Sequence, residues 1–226
     1  MKKYFIVIIL IFLCSNAFSH SDHYKNLTKI EMDVLRNGEK IGFSNYYFKH
    51  DGSNMEVKNN TEFEVKLLGI KVLSIKSTSV EKYENEKLVF FKSNTIQNDK
   101  KKYVNLRLDE NLNKFIIDGS SFKGEANINN VIGNWWNSKI LTVDTQISPL
   151  SGSIKEQTVK LIKKENIEID GKNYETIKFK IKSKDDDLPE DKKLNFKLWL
   201  DPREGLIIKV SYERLGKWEY ILKSFE

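Results

Sequence analysis

Three histidines, a run of three aspartates and four tryptophans are the side chains of this 226-residue sequence best suited to chemistry. His20, Asp22 and His23 form an imidazole–carboxylate group of a kind that can hold a metal loosely. Their N-terminal position reads instead as a frayed tail. His50 precedes an Asp51-Gly52 turn and reads as a solvated neighbour of that turn, with no nucleophile beside it. Gly119-Ser120-Ser121 and Ser151-Gly152-Ser153 lack the strained G-x-S-x-G elbow of a serine hydrolase and read as loops. Asp185, Asp186 and Asp187 lack the calcium-loop pattern with its glycine, so the run reads as a solvated loop. There is no phosphate-binding loop and no dinucleotide fingerprint. The sequence therefore assigns no catalytic residue, no metal ligand and no cofactor. A carboxylate pair of the glycosidase type depends on separation in space.

The tryptophans point elsewhere. Trp135, Trp136, Trp199 and Trp218 carry large apolar surfaces of the sort that pack cores or line ligand pockets. Trp135, Trp136 and Trp199, with Phe196 and Leu198, are the candidate ligand-binding residues. An acyl chain burying about ten methylenes against such a surface would gain about 8 kcal/mol before ordering costs. No catalytic group is needed for that.

The elements that must position these residues are strands. Ile30, Met32 and Val34 alternate with Lys29, Glu31 and Asp33. Asn37-Gly38 follows as a hairpin signal, because both residues tolerate positive φ. A return strand over residues 40–50 carries Tyr46, Tyr47 and Phe48. Met55, Val57, Phe63, Val65 and Leu67 alternate in a long strand that Gly69 breaks or bulges before Ile70. Further strands are expected over 88–91, 104–108, 115–117, 159–169, 177–181, 194–200, 206–212 and 218–222. Residues 130–141, around Trp135-Trp136, have no period of two and are expected to hold a short helix or a plug. Residues 184–191 form an acidic loop between strands. About a dozen alternating strands indicate antiparallel structure and are too many for a flat sheet. The expected fold is mainly β: a strongly curved antiparallel sheet, half-barrel or open barrel, with a short helical segment near Trp135.

Composition agrees with a folded chain and narrows the partners. Hydrophobic residues make up 39% and aromatic residues 12%, enough for a core and too many for a disordered chain. A single cysteine excludes a disulfide scaffold. Arg36, Arg107, Arg203 and Arg214 are the only arginines among 38 basic residues, so the +6 charge is almost all lysine. Phosphate and base recognition favours arginine forks and a clustered basic face, so no nucleic-acid partner is expected. The Lys100-Lys101-Lys102 run fits an exposed turn or a peripheral contact with anionic lipid headgroups.

The N-terminus reads as an address. Lys2 and Lys3 precede an apolar run over residues 4–13, too short to span a bilayer and fitting a secretory signal peptide. Ala17-Phe18-Ser19 supplies the small residues of a cleavage site. The expected division is a signal peptide over residues 1–19 and one β-rich domain over 20–226. Cleavage after Ala17 is the alternative. Leu13 stands where a lipobox before Cys14 wants a small residue. The expected location is the periplasm.

Two stretches carry resemblances. Asn134-Trp135-Trp136-Asn137-Ser138-Lys139-Ile140-Leu141, followed by Ser148-Pro149-Leu150-Ser151-Gly152, resembles the centre of an uncharacterised family of exported proteobacterial proteins, a domain of unknown function. The hairpin-forming run from Met32 to Gly42 resembles that family's opening, so the likeness covers nearly the whole exported chain. It implies no activity. Leu198-Trp199-Leu200-Asp201-Pro202-Arg203-Glu204-Gly205-Leu206 is similar to a hairpin of the periplasmic lipoprotein carriers, a resemblance that implies a curved half-barrel with an apolar concave face.

The sequence thus leads to an exported envelope protein without catalysis that binds or carries an apolar or amphipathic, lipid-like ligand. The alternative is a protein-interaction or structural role with an envelope protein as partner. A carboxylate-dependent envelope enzyme is the third reading. A pocket lined by Trp and Leu favours the first, a filled interior with an exposed patch the second, and two converging carboxylates the third.

Overall fold

A computed structural model describes residues 24–190 and 192–226. The expected signal peptide, Cys14, His20, Asp22 and His23 lie outside the described residues. The strands are β1 (Lys29–Arg36), β2 (Glu39–Asp51), β3 (Asn54–Leu67), β4 (Ile70–Glu84), β5 (Lys87–Gln97), β6 (Lys100–Asp109), β7 (Lys114–Gly119) and β8 (Lys123–Asn127). There follow β9 (Val131–Ile132), a one-turn 3-10 helix (Ser138–Leu141), β10 (Thr145–Ile147), β11 (Ile154–Ile169), β12 (Lys172–Ser183), β13 (Asn195–Asp201), β14 (Leu206–Glu213) and β15 (Lys217–Phe225).

These strands form one sheet in the order β8-β7-β6-β5-β4-β3-β2-β1-β15-β14-β13-β12-β11-β10-β9. The pairs are antiparallel except β9 with β10, which run parallel. The two edge strands, β8 and β9, are joined by residues 128–130 alone. Four peptide steps reach at most about 14 Å, so the sheet must curl until its edges come close. It remains open, with no hydrogen-bonded pairing of β8 to β9. Bulges at Val34/Leu35, Lys82/Tyr83 and Trp199/Leu200 add the local twist that such curling needs.

Alternation sorts the two faces. In β1, Ile30, Met32 and Val34 are buried while their neighbours are only partly covered. One row of cross-strand partners on the inner face runs Phe48, Val57, Glu81, Phe91, Leu106, Ile117. A parallel row is made of small hydroxyls: Ser44, Thr61, Ser77 and Thr95. Ser44 and Thr61 share a hydrogen bond at 2.7 Å, as do Ser77 and Thr95. Pairing the hydroxyls with one another removes most of the cost of burying them.

Small side chains on an inner face leave space, and the chain fills it with its own loop. Residues 148–152 fold back against the sheet. The Ser93 hydroxyl donates to the Pro149 carbonyl, and the Ser121 amide donates to the Ser151 carbonyl at 2.9 Å. Leu150 packs on the cluster of Val34, Phe63, Val65, Ile75 and Trp218. Of the two expectations for residues 130–141, a short helix or a plug, both are met in part: the helix is the single 3-10 turn at Ser138–Leu141, and the filling segment extends past residue 141. Of the two readings at Gly69, the strand breaks there, with Gly69 the second residue of a two-residue turn. One detail differs from the sequence reading: β5 continues through the polar stretch to Gln97 because its inward Ser93 and Thr95 are satisfied.

Gly119 marks how closely the plug sits. A Cβ there would stand 2.6 Å from the Ser151 carbonyl oxygen and 3.1 Å from the Gly152 Cα. Both are backbone atoms and cannot swing away. Gly119→Ala is expected to lower unfolding free energy by about 1–3 kcal/mol, read by urea denaturation.

Candidate functional site

The Asn-Trp-Trp-Asn segment enters the inner face and meets β4. Trp136 is almost fully buried. Its ring takes edge contacts from Tyr24, Phe48 and Tyr83, with centroids 5.3, 5.3 and 5.8 Å away. Its Nε1 donates to Glu81 Oε1 at 3.1 Å, and Asn134 Nδ2 donates to the same oxygen at 2.6 Å. The Tyr83 hydroxyl donates to Glu81 Oε2 at 2.6 Å. The Tyr46 hydroxyl accepts from the Trp135 amide at 3.3 Å.

Glu81 is a buried carboxylate held by three neutral donors and by no cation. Burial pushes its carboxyl up to about 7, against the opposing pull of the bonds from Tyr83, Trp136 and Asn134. Burial also pushes Tyr46 up to about 12 and Tyr83 well above the ordinary phenol range, so both stay neutral. A carboxyl raised this far is a recognised mark of a functional site. Here it is sealed under Trp136, and its hydrogen-bond partners include no second carboxylate. The arrangement can tether a segment; it cannot reach a substrate.

The five candidate ligand residues fall into two apolar clusters: Trp135, Phe196 and Leu198 meet in one, and Trp136 and Trp199 belong to the other. Trp136 belongs to the Glu81 node. Trp135 packs instead on Phe196, centroids 5.1 Å apart, and on Tyr220 at 6.0 Å. From Phe196 an aromatic row continues to Tyr212 at 5.3 Å, Trp218 at 5.7 Å and Phe63 at 5.6 Å. Leu198 is fully buried with Ile140, Ile181 and Val210. Trp199, next to Leu198 in β13, points to the opposite face. There its ring lies under Lys178 and Lys209, at 4.5 and 5.4 Å, and its Nε1 donates to Glu165 at 2.8 Å. Hydrogen bonding from Lys163, helped by Trp199 and Lys178, holds the Glu165 carboxyl down at about 2. Trp199 is thus capped by a satisfied ionic surface.

Two surface depressions are open to solvent. One of about 370 Å³ is lined by Ile41, Phe63, Ile75 and Ile96 among others, and one of about 280 Å³ lies by Leu112 and Lys114. Neither touches Trp135, Trp136, Phe196, Leu198 or Trp199. No group of three or more His, Cys, Asp or Glu that could hold a metal occurs among the described residues. Sequence reasoning missed Glu81, which sits in a charged run where Lys82 and Glu84 face out. Its two-residue spacing from Tyr83 was a signal, but the more apolar Val80 beside it pointed the other way.

The geometry defines a class: an open, barrel-like β protein whose interior is packed by its own central segment. The chain belongs to the family described as Domain of unknown function (DUF6134), which it matches over residues 32–223. Among solved structures it is similar to a beta-barrel-like protein of Domain of Unknown Function DUF1849 from Brucella abortus. Identity is 11%, coverage is 88% of this chain and 97% of that one, and the TM-score is 0.61. That likeness establishes the shared fold. A protein with a YmcC-like fold from Bacteroides fragilis also matches, at 10% identity over 88% and 94% of the two chains, with a TM-score of 0.37. A search of curated proteins found no match.

Two outcomes follow for Glu81. Its folded pKa of about 7 exceeds the ordinary 4.5, so the folded state binds more protons between those values. Stability from this group is full below pH 4.5, falls as pH rises, and is lost above 7. The difference is about 3 kcal/mol. Glu81→Gln keeps acceptor and donor in place and should flatten that part of the profile, seen as a smaller loss of melting temperature between pH 4.5 and 7.5. Glu81→Ala strands three buried donors and should cost about 3 kcal/mol or more at either pH, measured by denaturant titration.

Proposed function

We propose that this is an exported envelope protein without catalysis that works through contacts on its outside, as an interaction or structural component, and carries no small ligand within its sheet. The observation that carries this reading is the filled interior. The segment over residues 130–152 occupies the inner face where a carrier would seat its ligand. Trp136 and Leu150 stand where an acyl chain would lie. The buried Glu81 fixes that segment through Asn134 and Trp136, so opening the interior would strand a carboxylate and its donors. Export rests on the N-terminal charge and apolar pattern, and a periplasmic location follows from it.

The carrier reading retains one supporting feature. The aromatic row from Trp135 through Phe196 and Tyr212 to Trp218 is only partly covered at Trp135, Phe196 and Tyr212. A flat amphipathic ligand could lie along it. Native mass spectrometry of the protein recovered gently from the cell envelope separates the two readings. A single mass equal to the polypeptide, with no melting shift on adding fatty acid or phospholipid monomers, is expected. A stoichiometric added mass released by organic solvent would overturn the proposal in favour of a carrier.

A further inference from the structure

The β3–β4 hairpin leaves the sheet. The pairing of β2 with β3 ends at Gly42 and Phe63, and that of β5 with β4 ends at Ile75 and Gln97. Residues 64–74 therefore form a two-stranded arm, held at its base by the buried Val65 and by Asn98, which bonds Ser74 and Val72, and, among the described residues, free of neighbours toward its tip. An arm without flanking strands would ordinarily be polar. This one ends in Leu67-Leu68-Gly69-Ile70, with Leu68 98% and Ile70 70% exposed.

The turn itself is chosen against local preference. Among the described residues, six turns place two successive residues at positive φ. Four begin with Asn or Asp: Asn37-Gly38, Asn85-Glu86, Asn98-Asp99 and Asp170-Gly171. These side chains tolerate the left-handed region. The other two begin with leucine, at Leu68 (φ 50°) and Leu215 (φ 50°), and Leu215 is 88% exposed. A left-handed leucine is disfavoured by its own Cβ, and neither side chain packs on the protein in return. Strain kept without an internal contact points to an external one.

Register puts both leucines on one side of the molecule. The β1–β2, β3–β4, β5–β6 and β14–β15 turns all fall at the same end of the sheet. Lysines flank the apolar arm: Lys66 and Lys71 on it, and Lys100 and Lys101 beside the neighbouring turn, next to Asp99. Among the described residues, Lys71, Lys100 and Lys101 make no ion pair, and Lys66 has only the exposed Glu64. The acidic 184–190 stretch lies at this end too, in the β12–β13 connection, away from the arm. Apolar tips on two separate hairpins at one end of the sheet, with ammonium groups beside the arm, fit a plane that is apolar below and anionic above.

We propose that this end docks on an anionic lipid bilayer, with Leu67, Leu68, Ile70 and Leu215 seated below the headgroups and Lys66, Lys71, Lys100 and Lys101 among them. The proposal rests on the reading that the protein works through its outside. The test is flotation of the exported protein with vesicles of phosphatidylethanolamine and phosphatidylglycerol at 3:1, and with phosphatidylcholine vesicles. Every sample has the same N-terminus, checked by mass. Binding to the phosphatidylglycerol vesicles is expected, weakening with salt and falling on phosphatidylcholine. The variant Leu68→Asn/Ile70→Thr/Leu215→Asn should lose binding about tenfold or more, and Lys71→Gln/Lys100→Gln/Lys101→Gln should lose it on the anionic vesicles. Asn suits the left-handed turns, so Leu68→Asn and Leu215→Asn alone should melt no lower than the parent, which separates lost docking from lost folding. A parent protein that stays unbound, or a leucine variant that floats equally well, would overturn the membrane as partner. A parent that stays unbound while free of ligand in native mass spectrometry would leave the surface-contact reading standing; a stoichiometric internal lipid would remove that reading itself.

Discussion

A sheet curled almost on itself has to fill the space it encloses, and most of this structure answers to that demand. The sheet does not fill its own interior. Its inner face carries a belt of serines and threonines and a glycine at 119, too small to meet across the middle. The central segment therefore comes in, and it needs an anchor that specifies one position. Apolar packing alone is nondirectional. Glu81 supplies direction, because its two oxygens accept from Asn134, Trp136 and Tyr83 at once.

A buried carboxylate without a cation is costly, and this one is tolerable for two reasons. Three donors meet it, which replaces much of the hydration it loses. Its raised pKa of about 7 also lets it take up a proton when ionisation becomes too unfavourable. The contrast with Glu165 is instructive. That carboxylate lies on the outer side of the sheet among Lys163, Lys178 and Trp199, stays ionised, and is held near 2. The same side-chain type serves as a neutral-donor hub inside and as an ionic cap outside. The difference comes from access to lysine and water.

The filled interior moves the search for function outward. The two ends of the sheet are unlike in their turns. One end uses Asp51-Gly52, Asn85-Glu86 and Asp170-Gly171, which are the polar residues such turns prefer. The other carries two left-handed leucines and a projecting apolar arm beside unpaired lysines. A fold that satisfies its inner hydroxyls pair by pair, yet leaves Leu68 and Leu215 in solvent, has an end whose chemistry is incomplete in isolation.

Most of the strands, several of the turns and the curvature class were legible from the chain alone. The period of two in Ile30-Met32-Val34 and the Asn37-Gly38 and Asp170-Gly171 turns are local physics, read from neighbours in the chain. The non-alternating stretch around Trp135 was legible as an exception to the strands, a short helix or a plug, for the same reason. Tertiary structure alone decided what the plug does. Glu81 lies in Val80-Glu81-Lys82, where alternation by hydropathy would turn Val80 inward and Glu81 outward. The inner position of Glu81 depends on Asn134 and Trp136, more than 50 residues away. Likewise Leu198 and Trp199 look alike in sequence, yet they are buried in two different clusters, and the ring of Trp199 also lies under Lys178 and Lys209. Which face of a strand becomes the inside is a property of the closed shape, and no window of neighbouring residues contains it.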